Sequence, residues 1–224
     1  MDFKDMVKGR IEKRLRPVID ILPKEFYLAG NCLNRSEPKD LDLFPTYKSQ
    51  PFNIDNKYVV LNTKNAITAK YDNKIIQFCH YYHESLKKLV TSFDFAHVQI
   101  GAEVKIVHNT IQVKEIYYTK AYEDSKLREG SFYTGSEYPL SSLVRLVKYQ
   151  NRNYFAGRSY IGEIIKILAN IVQRGFKDYD DFKDQLDAVD LGMVPEDLKD
   201  SDFSELMTLY ELLTCDEKKQ RERR

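Results

Sequence analysis

The sequence has no tryptophan, only three cysteines and four histidines, and no long apolar run. No stretch approaches the ~18 apolar residues that a membrane span needs, and the first residues lack the apolar core of a signal peptide. The expectation is a cytoplasmic protein that does not enter a membrane. Cys32, Cys79 and Cys215 are far apart. That spacing gives neither a disulfide framework nor a zinc site, and it fits a reducing compartment. His80-x-x-His83 has no Cys or third His beside it and reads as polar residues at a sheet edge. Internal repeats are absent, as is a Gly- or Pro-rich linker, so 224 residues suit one large domain or one domain with an appendage.

Net charge is also nearly lacking, at +1, but it is unevenly placed. Residues 176–218 hold 14 acids against 4 lysines, whereas residues 1–175 carry a net +8. The long basic part suits a binder of nucleotides or nucleic acid. The acidic part reads as a helical appendage with a solvated face. Composition is otherwise that of a globular chain, 42% hydrophobic and 31% charged.

What is present is a pattern of strands. Glu25-Phe-Tyr-Leu-Ala-Gly30-Asn31 is an apolar strand running into a Gly turn, and Asp40-Leu41-Asp42-Leu43-Phe44 follows as a second strand. Strand side chains alternate, so Asp40 and Asp42 share one face, about 7 Å apart, while Leu41 and Leu43 enter a core. Two like charges side by side call for a hard divalent cation such as Mg²⁺. Phe93-Asp94-Phe95 opens a run to Val104 that reads as a strand with Asp94 opposite its aromatic neighbours. Beside the Asp40/Asp42 strand it would complete a set of three carboxylates suited to two-metal phosphoryl transfer. The alternative makes Asp40 and Asp94 turn or helix-end residues.

Around this core, Asp2 to Leu22 reads as a helix ended by Pro23, from the stripe Phe3, Met6, Val7, Ile11, Leu15, Val18, Ile19. Tyr58–Leu61, Ala66–Tyr71 and Lys74–His80 read as strands, the last two joined at Asp72-Asn73. Glu84–Thr91 is a short helix, and a hairpin turns at His108-Asn109. From Pro139 onward the chain reads as helical. The fold class is therefore α+β: a mixed sheet with packed helices over residues 1–138, then a helical part over 139–224.

In the segment from Pro139 to Phe155, Arg145, Lys148 and Arg152 recur at i, i+3 and i+7, giving one basic helix face. Leu143, Val144 and Val147 lie on the other side. Such a stripe suits triphosphate or RNA-backbone contact, with Arg145 and Lys148 on the nucleotide and Arg152 and Tyr149 as RNA contacts. A solvated face is the alternative. Tyr117, Tyr118, Tyr122, Phe132, Tyr133 and Tyr138 precede this helix. They would either stack on bases or fill the sheet and its loops.

Gly30-Asn31-x8-Asp40-Leu-Asp42-Leu with a later Phe-Asp94-Phe resembles the polymerase-beta-like nucleotidyltransferase superfamily over roughly residues 20 to 155. Pro38-Lys39-Asp40-Leu41-Asp42 is most similar to the head domain of tRNA CCA-adding enzymes and bacterial poly(A) polymerases. The resemblance implies two Mg²⁺ ions, or Mn²⁺, held by Asp40, Asp42 and Asp94. It also implies a nucleoside triphosphate whose phosphates meet Gly30 and Asn31, and an acceptor hydroxyl, first among them an RNA or tRNA 3′ end. Pyrophosphate would be released. A protein hydroxyl, or a tRNA modified as nucleotidyltransferase toxins do, is the next acceptor. A non-catalytic nucleotide- or RNA-binding module on the same scaffold is the competing class. Asn31 stands where the superfamily has Gly or Ser, and Asn34-Arg35 replaces an Arg-Asp pair. Glu123-Asp124-Ser-Lys-Leu-Arg128 has one residue more than the base-selecting element of CCA-adding enzymes and is read as loop.

Overall fold

The N-terminal apolar stripe forms α1, Phe3–Leu15, which buries Val7, Ile11 and Leu15, with Lys13 and Arg14 in its last turn facing the helix dipole. The helical run does continue, but as a 3-10 helix, Arg16–Ile21. Pro17 has no N–H to donate into the α pattern, so the chain tightens there rather than extending to Leu22.

A computed structural model describes residues 2–34, 38, 40–155 and 157–187. The acidic run beyond residue 187, with Cys215, lies outside the described residues, as do Arg35 and Lys39. The protein is α+β, with one seven-stranded mixed sheet and several helices. The chain divides into two compact units, Met1–Thr134 and Gly135–Arg224.

The first unit contains the sheet. Its strands are β1 (Glu25–Ala29), β2 (Asp40–Phe44), β3 (Val59–Asn62), β4 (Ala66–Tyr71), β5 (Lys74–Cys79), β6 (Ile100–Val107) and β7 (Thr110–Tyr118). They lie in the order β3-β4-β5-β2-β1-β6-β7. Only β2 and β5 run parallel among these pairs. The β4–β5 and β6–β7 connections are two-residue hairpins. At the second, His108 and Asn109 both take positive φ (48° and 57°), which matches the strand twist.

One face of the sheet packs on α1. Leu28, Leu41, Leu43, Ile76, Phe78 and Val104 meet Val7, Ile11 and Leu15 in a single core. On the other face, Tyr27 and Ala29 pack against Leu86, Leu89 and Val90 of α3 (Leu86–Thr91), whose N-cap Ser85 accepts from the Lys88 N–H. Two further short helices complete the unit. They are α2 (Asn31–Asn34), directly after the Gly turn, and α4 (Lys120–Leu127), capped by Thr119. The segment around Glu123 and Asp124 is thus helix rather than loop.

The second unit has α5 (Pro139–Gln150), α6 (Gly157–Arg174) and α7 (Tyr179–Asp187). Arg174 grips Asp181 through two hydrogen bonds of 2.9 and 2.8 Å. They hold the Asp181 carboxyl down at about 2, below its ordinary 3.8. A carboxyl depressed in the folded state stabilises above its unfolded pKa and loses that contribution as pH falls. Replacing Arg174 with Gln is therefore expected to lower the unfolding free energy at pH 5, measured by denaturant titration, by about 1 kcal/mol for a partly shielded bidentate pair. The difference should vanish between about pH 4 and pH 2.

Candidate functional site

Strand β2 alternates as the acid pair requires. Leu41 and Leu43 are buried, while Asp40, Asp42 and Phe44 stay half-exposed on the opposite face. Pairing with β1 reaches only Tyr27↔Phe44 and Leu28↔Leu43. The acid-bearing half of β2 therefore lies beyond β1's paired residues, against the Gly30 turn. Gly30 sits at φ +89°, a region closed to most side chains. A Cβ placed there would stand 3.8 Å from Asp42 Oδ2. The Gly30 N–H is committed to Ile100 O at 2.8 Å, and Gly30 O accepts from the Leu33 N–H at 3.1 Å. Gly30 thus contributes room beside the carboxylate rather than a free donor. Asn31 begins α2 immediately after it.

On its other side β2 runs parallel to β5, with Asp40 opposite Ile75 and Asp42 opposite Gln77. From β5 the rows continue into β4, through Ile75 to Lys70 and through Gln77 to Thr68. Paired residues face the same side of a sheet. Lys70, Thr68 and Gln77 therefore share the acid face, residues the sequence reading passed over. The β4–β5 hairpin was legible from its turn, but nothing local says that β5 docks beside β2.

Two thiols flank Asp42. Cys32, buried at the first turn of α2, donates from Sγ to Ala29 O at 3.3 Å. Burial pushes its thiol far up, and the Asp42 charge adds to the shift. The Cys79 thiol on β5 is also raised, by burial first and then by Asp42, Cys32 and Asp40. Both sulfurs stay protonated, so the donors offered by this face are carboxylate and amide oxygens, a hard set.

Asp94 is not on a strand. It lies in a bend, and the segment that reads as one strand from Phe93 breaks into an isolated bridge (Phe95 with Tyr133), a 3-10 turn at Ala96–Val98, and β6 from Ile100. The cause is the Gln99 side chain, which donates to Phe93 O at 2.7 Å and to Thr134 Oγ1 at 2.9 Å and accepts from Thr119 Oγ1 at 2.6 Å. Asp94 itself is buried, at 4% exposure. Among the described residues no three His, Cys, Asp or Glu side chains stand close enough to share a metal ion. Asp40, Asp42 and Asp94 do not form such a group, and the His80/His83 pair does not either.

In the second unit Arg145 and Lys148 lie half-buried on α5, but the helix ends at Gln150 and Arg152 sits in the following turn. The basic stripe is two residues long rather than three. The buried side of α5 carries Ser142, Leu146 and Tyr149, whereas Val147 is exposed. Tyr149 is 8% exposed and packs edge-on against Tyr154 at 5.8 Å, which removes its ring as an open stacking surface. A cavity of about 410 Å³ in this unit is lined by Glu137, Tyr138, Arg174, Lys177, Asp181 and Asp184. Its central Arg174 and Asp181 already neutralise each other.

The aromatics before α5 are mostly structural. Tyr122 and Tyr133 are buried, and Tyr118 packs on Phe3 and Tyr122. His97 is buried with its Nδ1 against Ser131 Oγ. No helix among the described residues is long and apolar enough to cross a membrane.

No family model matches the chain, and no curated protein matches it. Among solved structures it is similar to one described as "tRNA-processing enzyme (apo form 2)", at 16% identity and a TM-score of 0.40. The match covers 92% of this chain and 57% of the other, so the chain spans little more than half of that protein's length.

Proposed function

We propose that the chain is a metal-dependent nucleotidyltransferase that moves a nucleoside monophosphate from a triphosphate to an acceptor hydroxyl, an RNA 3′ end first among acceptors. The observation that carries this reading is the placement of Asp40 and Asp42 on one open face of β2, with the Gly30 turn at positive φ directly against Asp42. In the reaction the acceptor oxygen attacks the α-phosphorus, the α–β bridging P–O bond breaks, pyrophosphate leaves and the acceptor proton passes to solvent.

The residues fit the ion this reading needs. Asp40 and Asp42, with the neutral Gln77 in register, supply one or two carboxylates and an amide oxygen, the protein share of a Mg²⁺ or Mn²⁺ site completed by water and phosphates. When bound, such an ion neutralises phosphate charge and fixes the triphosphate. Gly30 keeps the space beside Asp42 clear for the phosphates, and the Asn31 amide can donate to them. Asp94 is left out of this donor set because it is not gathered with the other two.

The test is incubation with Mg²⁺, each α-labelled nucleoside triphosphate and total RNA, resolved on a gel. Transferred label supports the reading, and its absence from RNA and protein across all four triphosphates rejects it.

Among the described residues no three acids stand together, which favours a second reading, a metal–nucleotide binding module without turnover. Either way, Mg²⁺ and a triphosphate together should stabilise the fold cooperatively, by about 2.7 kcal/mol at a hundredfold excess over the dissociation constant. Thermal unfolding measures it. Equal shifts with and without Mg²⁺ would remove the metal site from both readings.

A further inference from the structure

In the second unit one side of α6 is apolar and open. The helix packs along α5 and buries Glu163, Ile167 and Ile171. Its outer side carries Ile161 at 59% exposure, Ile165 at 61%, Leu168 at 46% and Val172 at 83%. Steps of four, three and four residues keep these side chains on one side of the helix as a continuous stripe. Apolar residues scattered singly over a surface need no explanation, but a contiguous stripe marks a contact. The exposed ionisable residues of α6 are both cations, Arg158 and Lys166, and its one acid, Glu163, is buried.

We propose that residues 203–213 of this chain, which lie outside the described residues, cover the stripe as an amphipathic helix. Phe203, Leu206, Met207, Tyr210 and Leu213 recur at helical spacing and give a matching apolar face. Residues 202–217 hold five acids and no lysine or arginine, a charge complementary to Arg158 and Lys166. Reach is no obstacle. Arg174 and Asp181 tie the first turn of α7 to the end of α6, and the described chain stops at Asp187, where that nine-residue helix ends. The 15 residues 188–202 span up to about 50 Å when extended, against about 27 Å for the whole of α6. A second copy of the chain fits less well. A stable interface uses about 20–30 residues a side, whereas the stripe offers four side chains with cations beside them on both copies. A tethered segment needs no such area, because its effective concentration is on the order of millimolar.

Hydrogen exchange of the full chain, read peptide by peptide by mass spectrometry, tests the docking. Amides of residues 203–213 are expected to be protected in the wild type. In the pair Ile165→Asp with Val172→Asp their exchange should quicken by at least about tenfold, the effect on local opening of uncovering one large aliphatic side chain. Both substituted side chains are more than half exposed, so exchange in α5 and in the sheet should stay at the wild-type rate. If that pair does not fold, Ile165→Gln with Val172→Gln takes its place. Sedimentation at a low and a high protein concentration runs alongside.

Free exchange of residues 203–213 in the wild type would overturn the docking. Protection that the stripe variants leave unchanged would overturn it too, because the segment would then cover another surface. A wild-type dimer that the stripe variants dissociate would overturn it in favour of a second copy on α6.

Discussion

Asp42→Asn is expected to abolish label transfer while leaving the protein folded. Removing a metal-holding carboxylate withdraws several kcal/mol of charge stabilisation from the reacting phosphate, at least about 100-fold in rate. The fold has no reason to suffer. Asn keeps the shape, and one of two like charges on neighbouring outward positions of β2 disappears. The Asp42 charge helps raise the Cys79 thiol. Its loss lowers that thiol's pKa, so Cys79 should react faster with a maleimide at a fixed pH near 8. Rate of transfer, thermal midpoint and thiol labelling form three separate readouts. Full turnover in Asp42→Asn would reject the proposed chemistry. Unchanged labelling would mean that burial alone raises the Cys79 thiol.

Gly101→Ala should produce the largest loss of stability, of about 1–3 kcal/mol. A Cβ at Gly101 would approach Val90 Cγ2 to 2.7 Å and Leu86 Cδ1 to 2.8 Å, with Ala29 Cβ at 3.2 Å. Those contacts wedge α3 away from β6. The damage also reaches the candidate site, because Gly30 hangs from Ile100 O, the residue before Gly101. Calorimetry should show the midpoint falling by several degrees for a unit of this size. Val90→Ala placed in the same chain should restore much of the loss, because it removes the nearer clashing methyl. If Gly101→Ala unfolds at the wild-type temperature, α3 does not press on β6 as closely as these distances state.

The parts of the fold legible in the sequence were those written locally. The acid pair of β2 announces itself by alternation, Gly30 by its place at a strand end, and the β6–β7 hairpin by His108-Asn109, the two residues that take positive φ. The misreadings had distant causes. Phe93–Val104 alternates well enough to pass for a strand. The bend at Asp94 depends on Gln99 reaching Thr119 and Thr134, 20 and 35 residues away. The bend takes Asp94 off the strand that its alternation suggests. The strand beside β2 is β5, and the side chain in register with Asp42 is Gln77 rather than an acid. Parallel pairing needs a long crossover and leaves no turn signature, so that neighbour was invisible from one sequence. On α5 the helical spacing holds for Arg145 and Lys148, but the helix stops at Gln150 before it can present Arg152.

The alternation of β2 also guards the fold against its nearest wrong version. Sliding β2 by one residue would exchange the two sets of side chains across the sheet. Asp40 and Asp42 would enter the core now filled by Leu41 and Leu43 beneath α1, and two leucines would surface. Burying a carboxylate there without a partner is costly enough that it would have to take up a proton first. Misaligned chains are thus disfavoured at neutral pH by the same two side chains that give the face its charge.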